Sequence, residues 1–266
     1  MVEFAVPAVP VTRLPFALTE TSVLAIIPAR YHSTRLPAKA LADIAGRPMI
    51  AHVFARATRA ASIDAVLIAT DDERIAQAAE SFGAVAVMTS AAHASGTDRL
   101  AEIASSLPCD LIVNVQGDEP LLDPTVIDAV VEPMRRDPSM EMATAARRLR
   151  NPGELHDSSV VKVVCDGRGN ALYFSRAPIP HGRDSSPVDA ARVHIGLYVY
   201  RRATLLRLAG LAPGPLEGLE ALEQLRALEN GVRIHVVDTP FISAEVNTPA
   251  DLERVRRHFA AASQDE

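Results

Sequence analysis

From Ser22 to about Arg136, short runs of β-branched and aliphatic residues alternate with Ala-rich stretches whose apolar positions recur at helical spacing. The runs VLAII (23–27), AVLIAT (65–70), AVAVM (84–88) and LIVNV (111–115) predict strands. The stretches near 48–60, 72–82, 97–107 and 124–135 predict helices, the last opening on Asp123-Pro124, an N-cap followed by Pro at the first helical position. Strand and helix in strict alternation predict βαβ units and a Rossmann-like α/β fold with a largely parallel sheet. After Glu141 the alternation loosens. Strands are predicted at Met142 to Arg147, VVKVVCD (160–166), ALYFSR (171–176) and VHIGLYVYR (193–201), with few helices between, which reads as added antiparallel strands in a smaller lobe. A helix over 217–229, a strand RIHVV (233–237) and a helix from Thr248, with Asp251 completing a capping box, return the chain to the core. The expected layout is a flexible extension over 1–21 and one domain over 22–262. That domain comprises a first part of about 22–140, a smaller lobe of about 141–215 and a C-terminal return of about 216–262.

Composition narrows the functions open to such a domain. Aromatic residues make up 4% of the chain and Trp is absent, which thins the stacking platforms that single-stranded nucleic-acid binders use. With 33 acidic and 27 basic residues there is no general attraction for a polyanion, so nucleic acid is not the expected partner. Cys109 and Cys165 are the only cysteines and form no CxxC or CxxH pair, which fits a reducing compartment. No apolar run approaches the ~20 residues of a membrane helix. The first 22 residues hold three prolines and an early acid, unlike a signal peptide, so no membrane insertion and a cytoplasmic location are expected.

Ligands of open α/β sheets bind beyond the carboxyl ends of strands. After the first strand, PARYHSTRLPAKAL (28–41) carries Arg30, Arg35 and Lys39 with Ser33 and Thr34 between them, a set suited to a polyphosphate and equally suited to a solvated basic loop. After the fourth strand, VQGDEPLLDP (115–124) places Asp118 where a carboxylate can hold Mg²⁺, while Asp123 already serves as the helix cap. In VHIGLYVY, alternation puts His194, Gly196 and Tyr198 on one face, a pattern that an ordinary half-buried strand also explains.

Taken together, these segments resemble the 3-deoxy-manno-octulosonate cytidylyltransferase family. The matching blocks run in order from IIPARYHSTRLPAKALADIAGRPMIAHV (26–53) through IATDDERIA (68–76), HASGTDRLAE (93–102), IVNVQGDEPLL (112–122), VVKVV (160–164), ALYFSRAPIP (171–180) and HIGLYVYR (194–201) to LEALEQLRALENGVRIHVV (219–237) and VNTPADLERVR (246–256). The resemblance implies the nucleotide-diphospho-sugar transferase type of fold and a homodimer built through the smaller lobe. It implies transfer of CMP from CTP to the anomeric hydroxyl of the sugar acid Kdo, with Mg²⁺ as cofactor, for lipopolysaccharide assembly. By matching position, Arg30, Ser33, Arg35 and Lys39 would hold the CTP phosphates, and Thr70, Asp71, Ser95, Gly96 and Gln116 would line the cytidine pocket. Asp118 would bind the metal, with Arg30 and Lys39 beside it in catalysis, and Arg176, His194, Tyr198, Glu223 and Gln224 would hold Kdo.

Two positions depart from the family pattern. Ala38 stands where the family's LPGK has glycine, which puts any backbone angle needing glycine in question. Asn247 stands where a carboxylate is expected to help bind metal, so a second Mg²⁺ would meet an amide carbonyl there. A neighbouring reading is a cytidylyltransferase for another sugar acid, N-acetylneuraminate or 8-amino-Kdo, and a further one is a catalytically weak nucleotide-binding homologue. The chemistry requires neutralisation first: two unit charges at 4 Å repel by roughly 4 kcal/mol at an effective dielectric of 20, and both substrates are anions.

Overall fold

The first strand, β1 (Val23–Ala29), is buried along nearly its whole length, and its alternate side chains feed two different cores. Val23, Ala25, Ile27 and Ala29 join one cluster and Leu24 and Ile26 the other, so helices must cover both faces of the sheet. The structure is a computed structural model that describes residues 14–32, 36–93, 95–184 and 190–262.

The chain leaves β1 through a short 3₁₀ turn (Lys39–Leu41) and a small hairpin, β2 (Asp43–Ile44) with β3 (Arg47–Pro48), into α1 (Met49–Ala57). Then β4 (Ala65–Thr70), α2 (Glu73–Ser81), β5 (Val85–Met88), α3 (Gly96–Ser105), β6 (Leu111–Asn114) and α4 (Pro124–Arg136) follow in the predicted alternation. β7 (Met142–Arg148) leads through α5 (Gly153–His156) to a hairpin of β8 (Lys162–Cys165) and β9 (Ala171–Ser175). The long strand β10 (Arg192–Arg201), α6 (Arg202–Ala209), α7 (Pro215–Glu220), α8 (Gln224–Glu229), β11 (Ile234–Asp238) and α9 (Pro249–Ala262) complete the fold.

Seven strands run in the order β11-β7-β10-β6-β1-β4-β5, with β1 parallel to both β4 and β6. The antiparallel strands belong to this same sheet: β10 pairs antiparallel with β6, β7 and β8, and the β8–β9 hairpin hangs from it. α1 and α4 pack on one face, and α3, α6 and α8 on the other. A third, smaller core of Ile44, Met49, Val246, Leu252 and Val255 clamps α9 against the β2–β3 hairpin, which brings residues 246–247 back to the end of β1.

Two expectations change. The single helix over 217–229 is broken at Ala221, which takes a left-handed conformation (φ 51°), so α7 and α8 point their polar side chains to different places. Of the extension over 1–21, residues 1–13 lie outside the described residues, while Leu14, Phe16 and Leu18 are half-buried against the second core. The three apolar side chains fall at alternate positions, a pattern hidden among the prolines.

The departure at Ala38 has a structural counterpart. Ala38 is left-handed (φ 53°, ψ 32°) where the loop after β1 turns into the Lys39–Leu41 segment. A Cβ in this region costs roughly 1–2 kcal/mol, partly offset by glycine's greater entropy when unfolded. Ala38→Gly is therefore expected to stabilise the protein by about 1 kcal/mol in urea unfolding; an unchanged or lowered midpoint would show that the loop relaxes without strain.

Candidate active site

The chain reverses direction across the sheet between β1 and β6, and the crevice there lies beyond the carboxyl ends of both strands. Two turns meet in it. Val115 N–H donates to the Ile26 carbonyl at 3.1 Å. A Cβ on Gly117 would lie 2.9 Å from the Pro28 carbonyl oxygen, so glycine lets the turn after β6 rest directly on the end of β1. Lys39 Nζ then stands 2.6 Å from Asp118 Oδ2 and 3.4 Å from Asn247 Oδ1.

Residues 243–247 approach from the opposite side. Val246 N–H donates to the Asp118 carbonyl at 2.9 Å, and its side chain is buried in the third core. Ser243, Glu245 and Asn247, at every second position, face the site. Ser243 Oγ donates to Glu119 Oε1 at 2.8 Å, and Asn247 Nδ2 to Glu245 Oε2 at 2.9 Å. Asp251 Oδ2 accepts from the backbone N–H groups of Asn247 and Thr248, which fixes this segment to the start of α9. Glu119 is buried at 3% exposure and its Oε2 has no hydrogen-bond partner. Burial first, then the charges of Glu245 and Asp118, push its carboxyl up to about 8.

These oxygens suit Mg²⁺. The Asp118 and Glu245 carboxylates and the Asn247 carbonyl are hard donors, and the Lys39 ammonium is already drawn to two of them. Among the described residues no group of three or more His, Cys, Asp or Glu could hold a metal. Mg²⁺ commonly needs only one or two protein carboxylates, the remainder coming from water and substrate phosphates.

Beyond Gln116 lies a cavity of about 100 Å³ lined by Thr97, Asn114, Gln116, Tyr198, Glu223 and Gln224, among others. Two side-chain atoms buried there, Glu223 Oε1 and Gln224 Nε2, have no hydrogen-bond partner. Burial raises the pKa of Glu223, against the pull of the Thr97 and Ser95 hydroxyls. His194 stacks edge-on to Phe174 and lies 5.3 Å from Tyr198 between ring centres. Its Nε2 is 3.0 Å from Thr144 Oγ1, whose own hydrogen reaches the Leu197 carbonyl at 2.7 Å, so the ring donates from Nε2. Burial lowers its pKa to about 3, leaving it neutral.

Thr70 is buried at the end of β4, and Asp71 pairs at 2.9 Å with Arg99, a fully buried guanidinium that also bonds Thr89. Ser95 caps α3 in a reciprocal bond with Asp98, and a Cβ on Gly96 would lie 3.4 Å from the Pro28 side chain, so α3 begins against the end of β1. Arg30 is exposed just past β1, while Ser33 and Arg35 lie outside the described residues. Arg176 is not among the residues lining the cavity; it bonds the Glu220 carbonyl at 2.9 Å and the Ser158 carbonyl at 3.1 Å. The site also contains residues that sequence reasoning missed: Glu119, Ser243 and Glu245. Glu119 was visible within VQGDEP, but no local pattern distinguished Ser243 and Glu245, which matter only because α9 returns to the crevice.

A cytidylyltransferase family profile matches residues 24–234. The 3-deoxy-manno-octulosonate cytidylyltransferase of Solibacter usitatus is 54% identical over 240 residues, covering 90% of this chain and 95% of that protein. That of Syntrophotalea carbinolica is 55% identical over 246 residues, covering 90% and 98%. Among solved structures, CMP:2-keto-3-deoxy-manno-octonic acid synthetase complexed with CTP superposes with a TM-score of 0.87 at 41% identity, covering 91% of this chain and all of that one. The 4-diphosphocytidyl-2C-methyl-D-erythritol synthase of Anaerococcus prevotii, at 14% identity and a TM-score of 0.60, shares the fold.

The His194 environment has a pH consequence. Its folded pKa lies below its unfolded value of 6.5, so between pH 6.5 and about 3 the unfolded chain binds more protons and stability falls as pH falls. The slope is about 1.4 kcal/mol per pH unit, or about 2 kcal/mol between pH 6.5 and 5. His194→Gln should lack that component in urea unfolding at the two pH values; an identical pH dependence would show that His194 protonates freely in the folded state.

Proposed function

The chain belongs to the cytidylyltransferase family, and on that premise we propose that it transfers CMP from CTP to the anomeric hydroxyl of 3-deoxy-D-manno-octulosonate (Kdo) for lipopolysaccharide assembly. The hydroxyl oxygen bonds to the α-phosphorus, the bond from that phosphorus to the β-phosphate oxygen breaks, pyrophosphate leaves, and the hydroxyl proton is released to solvent. The observation that supports this reading is the meeting of Lys39, Asp118 and Asn247 at the turn after β6, together with a cavity lined by Gln116 of that same turn, in which Glu223 and Gln224 keep unpartnered atoms. An anion site and a polar, hydroxyl-accepting site thus adjoin across Gln116.

In this reading Arg30, Ser33, Arg35 and Lys39 hold the β- and γ-phosphates and take up charge that would otherwise repel the sugar acid. Thr70, Asp71, Ser95, Gly96 and Gln116 line the cytidine side, where the Arg99–Asp71 pair fixes the end of β4. Asp118 and Asn247 would hold Mg²⁺, which when bound polarises the α-phosphate and eases loss of the hydroxyl proton. Tyr198, Glu223 and Gln224 exchange hydrogen bonds with sugar hydroxyls, and neutral His194 does so without adding a charge that varies near pH 7. Arg176, outside the cavity and anchored on Glu220 and Ser158, would reach the sugar carboxylate from the β9 side. The free cysteines Cys109 and Cys165 and the need for CTP support a cytoplasmic location. Exposed Leu172 on β9 (63%) supports a homodimer through the smaller lobe, with exposed Leu219 on α7 (83%) in the segment that follows it.

Pyrophosphate release with CTP, Mg²⁺ and Kdo, compared with N-acetylneuraminate and 8-amino-Kdo as acceptors, tests the reaction. Kdo is expected to be the preferred acceptor, and no release with any of the three would reject the reading. Asp118→Asn should lower kcat at least tenfold, a loss of about 1.4 kcal/mol or more in the transition state. Lys39→Ala should raise KM for CTP and Gln224→Ala that for Kdo; if both variants changed only CTP, the cavity would not be the sugar site.

In light scattering the protein should have the mass of a dimer and Leu172→Glu that of a monomer. A monomeric wild type would exclude the lobe as an interface.

A further inference from the structure

Asn247 stands between two charged neighbours. Its Oδ1 accepts from the Lys39 ammonium at 3.4 Å, and its Nδ2 donates to Glu245 Oε2 at 2.9 Å. With both ends of the amide engaged, Asn247 is suited to orienting others, and the charge that it lacks is carried two residues earlier. Glu245 and Asn247 share one face of an extended segment whose intervening Val246 is anchored twice, through its N–H on the Asp118 carbonyl and its side chain in the third core. The carboxylate of Glu245 reaches from there toward β10 and the cavity: a Cβ on Gly196 would lie 4.0 Å from Glu245 Oε1 and 3.5 Å from the Gln116 side chain.

Two independent features point to a cation in this place. The Lys39 ammonium is already lodged against Asp118 and Asn247, with the side chains of Lys39 and Asp118 only about one-fifth exposed. Beneath them the buried Glu119 leaves Oε2 without a partner, beside Asp118 and Glu245. The other Glu119 oxygen, Oε1, is committed to Ser243, so Oε2 is the atom left open there. Glu245 is solvent-accessible, bonded to Asn247 on one side and within 4.0 Å of a Cβ on Gly196 on the other.

We propose that Glu245 supplies the second carboxylate for the divalent cation, on the side of the cavity, and that Asn247, besides offering its carbonyl to the same cation, positions Glu245 through its Nδ2. This rests on the CTP-dependent reading above and deepens it. Once nucleotide phosphates draw Lys39 away, Asp118 and Glu245 face the cation from the two turns that the crevice brings together, and CTP oxygens and water fill the remaining positions.

The test is the gain in CTP affinity on adding Mg²⁺, measured by calorimetry in EDTA and in Mg²⁺ without any acceptor sugar. Wild type should bind CTP more tightly with Mg²⁺, and Glu245→Gln should reduce that gain by about tenfold or more, while its affinity in EDTA stays unchanged or rises. Because position 247 already touches the Lys39 group, the double variant Glu245→Gln with Asn247→Asp should recover most of the gain by moving the carboxylate two residues along. A full Mg²⁺-dependent gain in Glu245→Gln, no gain in wild type, or failure of the double variant to recover would each overturn the proposal. If Glu245→Gln instead weakened only Kdo binding, Glu245 would be a sugar ligand and the cation assignment would be wrong. The titration contains no acceptor, so a protein that bound Mg²⁺ and CTP but rejected Kdo would defeat the functional reading and leave this assignment standing.

Discussion

The contact of Lys39 with Asp118 joins the loop after β1 to the turn after β6, and Asn247 adds the C-terminal return to the same point. Each segment is carried there by a different part of the core. β1 and β6 are held side by side in the parallel sheet, while residues 246–247 are brought back by the small cluster around Ile44, Met49 and Val246. The pair itself contributes little to stability, because a partly exposed ion pair is worth about 0–1 kcal/mol. It can therefore give way to another set of charges. Polyphosphate chemistry needs this, since the ammonium must turn to an incoming anion and the carboxylate to an incoming cation.

Rigidity is supplied by polar groups elsewhere that are buried and well bonded. Fully buried Arg99 ties Asp71 and Thr89 together at the ends of β4 and β5. Lys162, also fully buried, donates to three carbonyls, those of Asp157, Val160 and Arg176, at 2.6–2.8 Å, and so fixes the end of β9. A buried ammonium with this many acceptors is satisfied, whereas removal of any one acceptor would leave a costly deficit. By contrast, Glu119, Glu223 and Gln224 keep unpartnered atoms at or near the site. Of the five buried side-chain atoms without a partner among the described residues, these three lie at or near the site, the other two being Ser62 Oγ and Arg99 Nε.

The division of labour between the two ends of the crevice follows from this. Charged, partly exposed groups crowd the Lys39 end, where the dielectric is high enough for ion pairs to exchange. Tyr198, Glu223 and Gln224 line the cavity and His194 lies against Tyr198 beside it; burial keeps His194 neutral and raises the Glu223 pKa, so that hydrogen bonding replaces charge as the means of recognition.

Much of this was legible in the linear order of residues. Periodicity located nearly every strand and helix of the first half to within two or three residues, because β1, β4 and β6 are buried on both faces and must be apolar throughout, while α1 to α4 each bury a single stripe. The strings around Lys39 and Asp118 identified both turns, since a strand end followed by charge is unusual in a parallel sheet. The break at Ala221 was not legible. Helical spacing continues through it, and only packing sends Glu220 to Ser175 and Arg176 and Glu223 to the cavity. Leu14, Phe16 and Leu18 were likewise hidden, because three apolar residues at alternate positions acquire meaning only beside a core that receives them. The sequence by itself determined the α/β framework, the parallel order implied by its crossovers and the residues of the first two turns, all of which depend on local spacing. The tertiary structure alone decided that residues 243–247 close the site, that Asn247 bridges Lys39 and Glu245, and that Ala38 carries a left-handed backbone. These depend on contacts between segments as much as 208 residues apart, or on a turn whose shape is set by what it rests on, and neither leaves a local pattern to read.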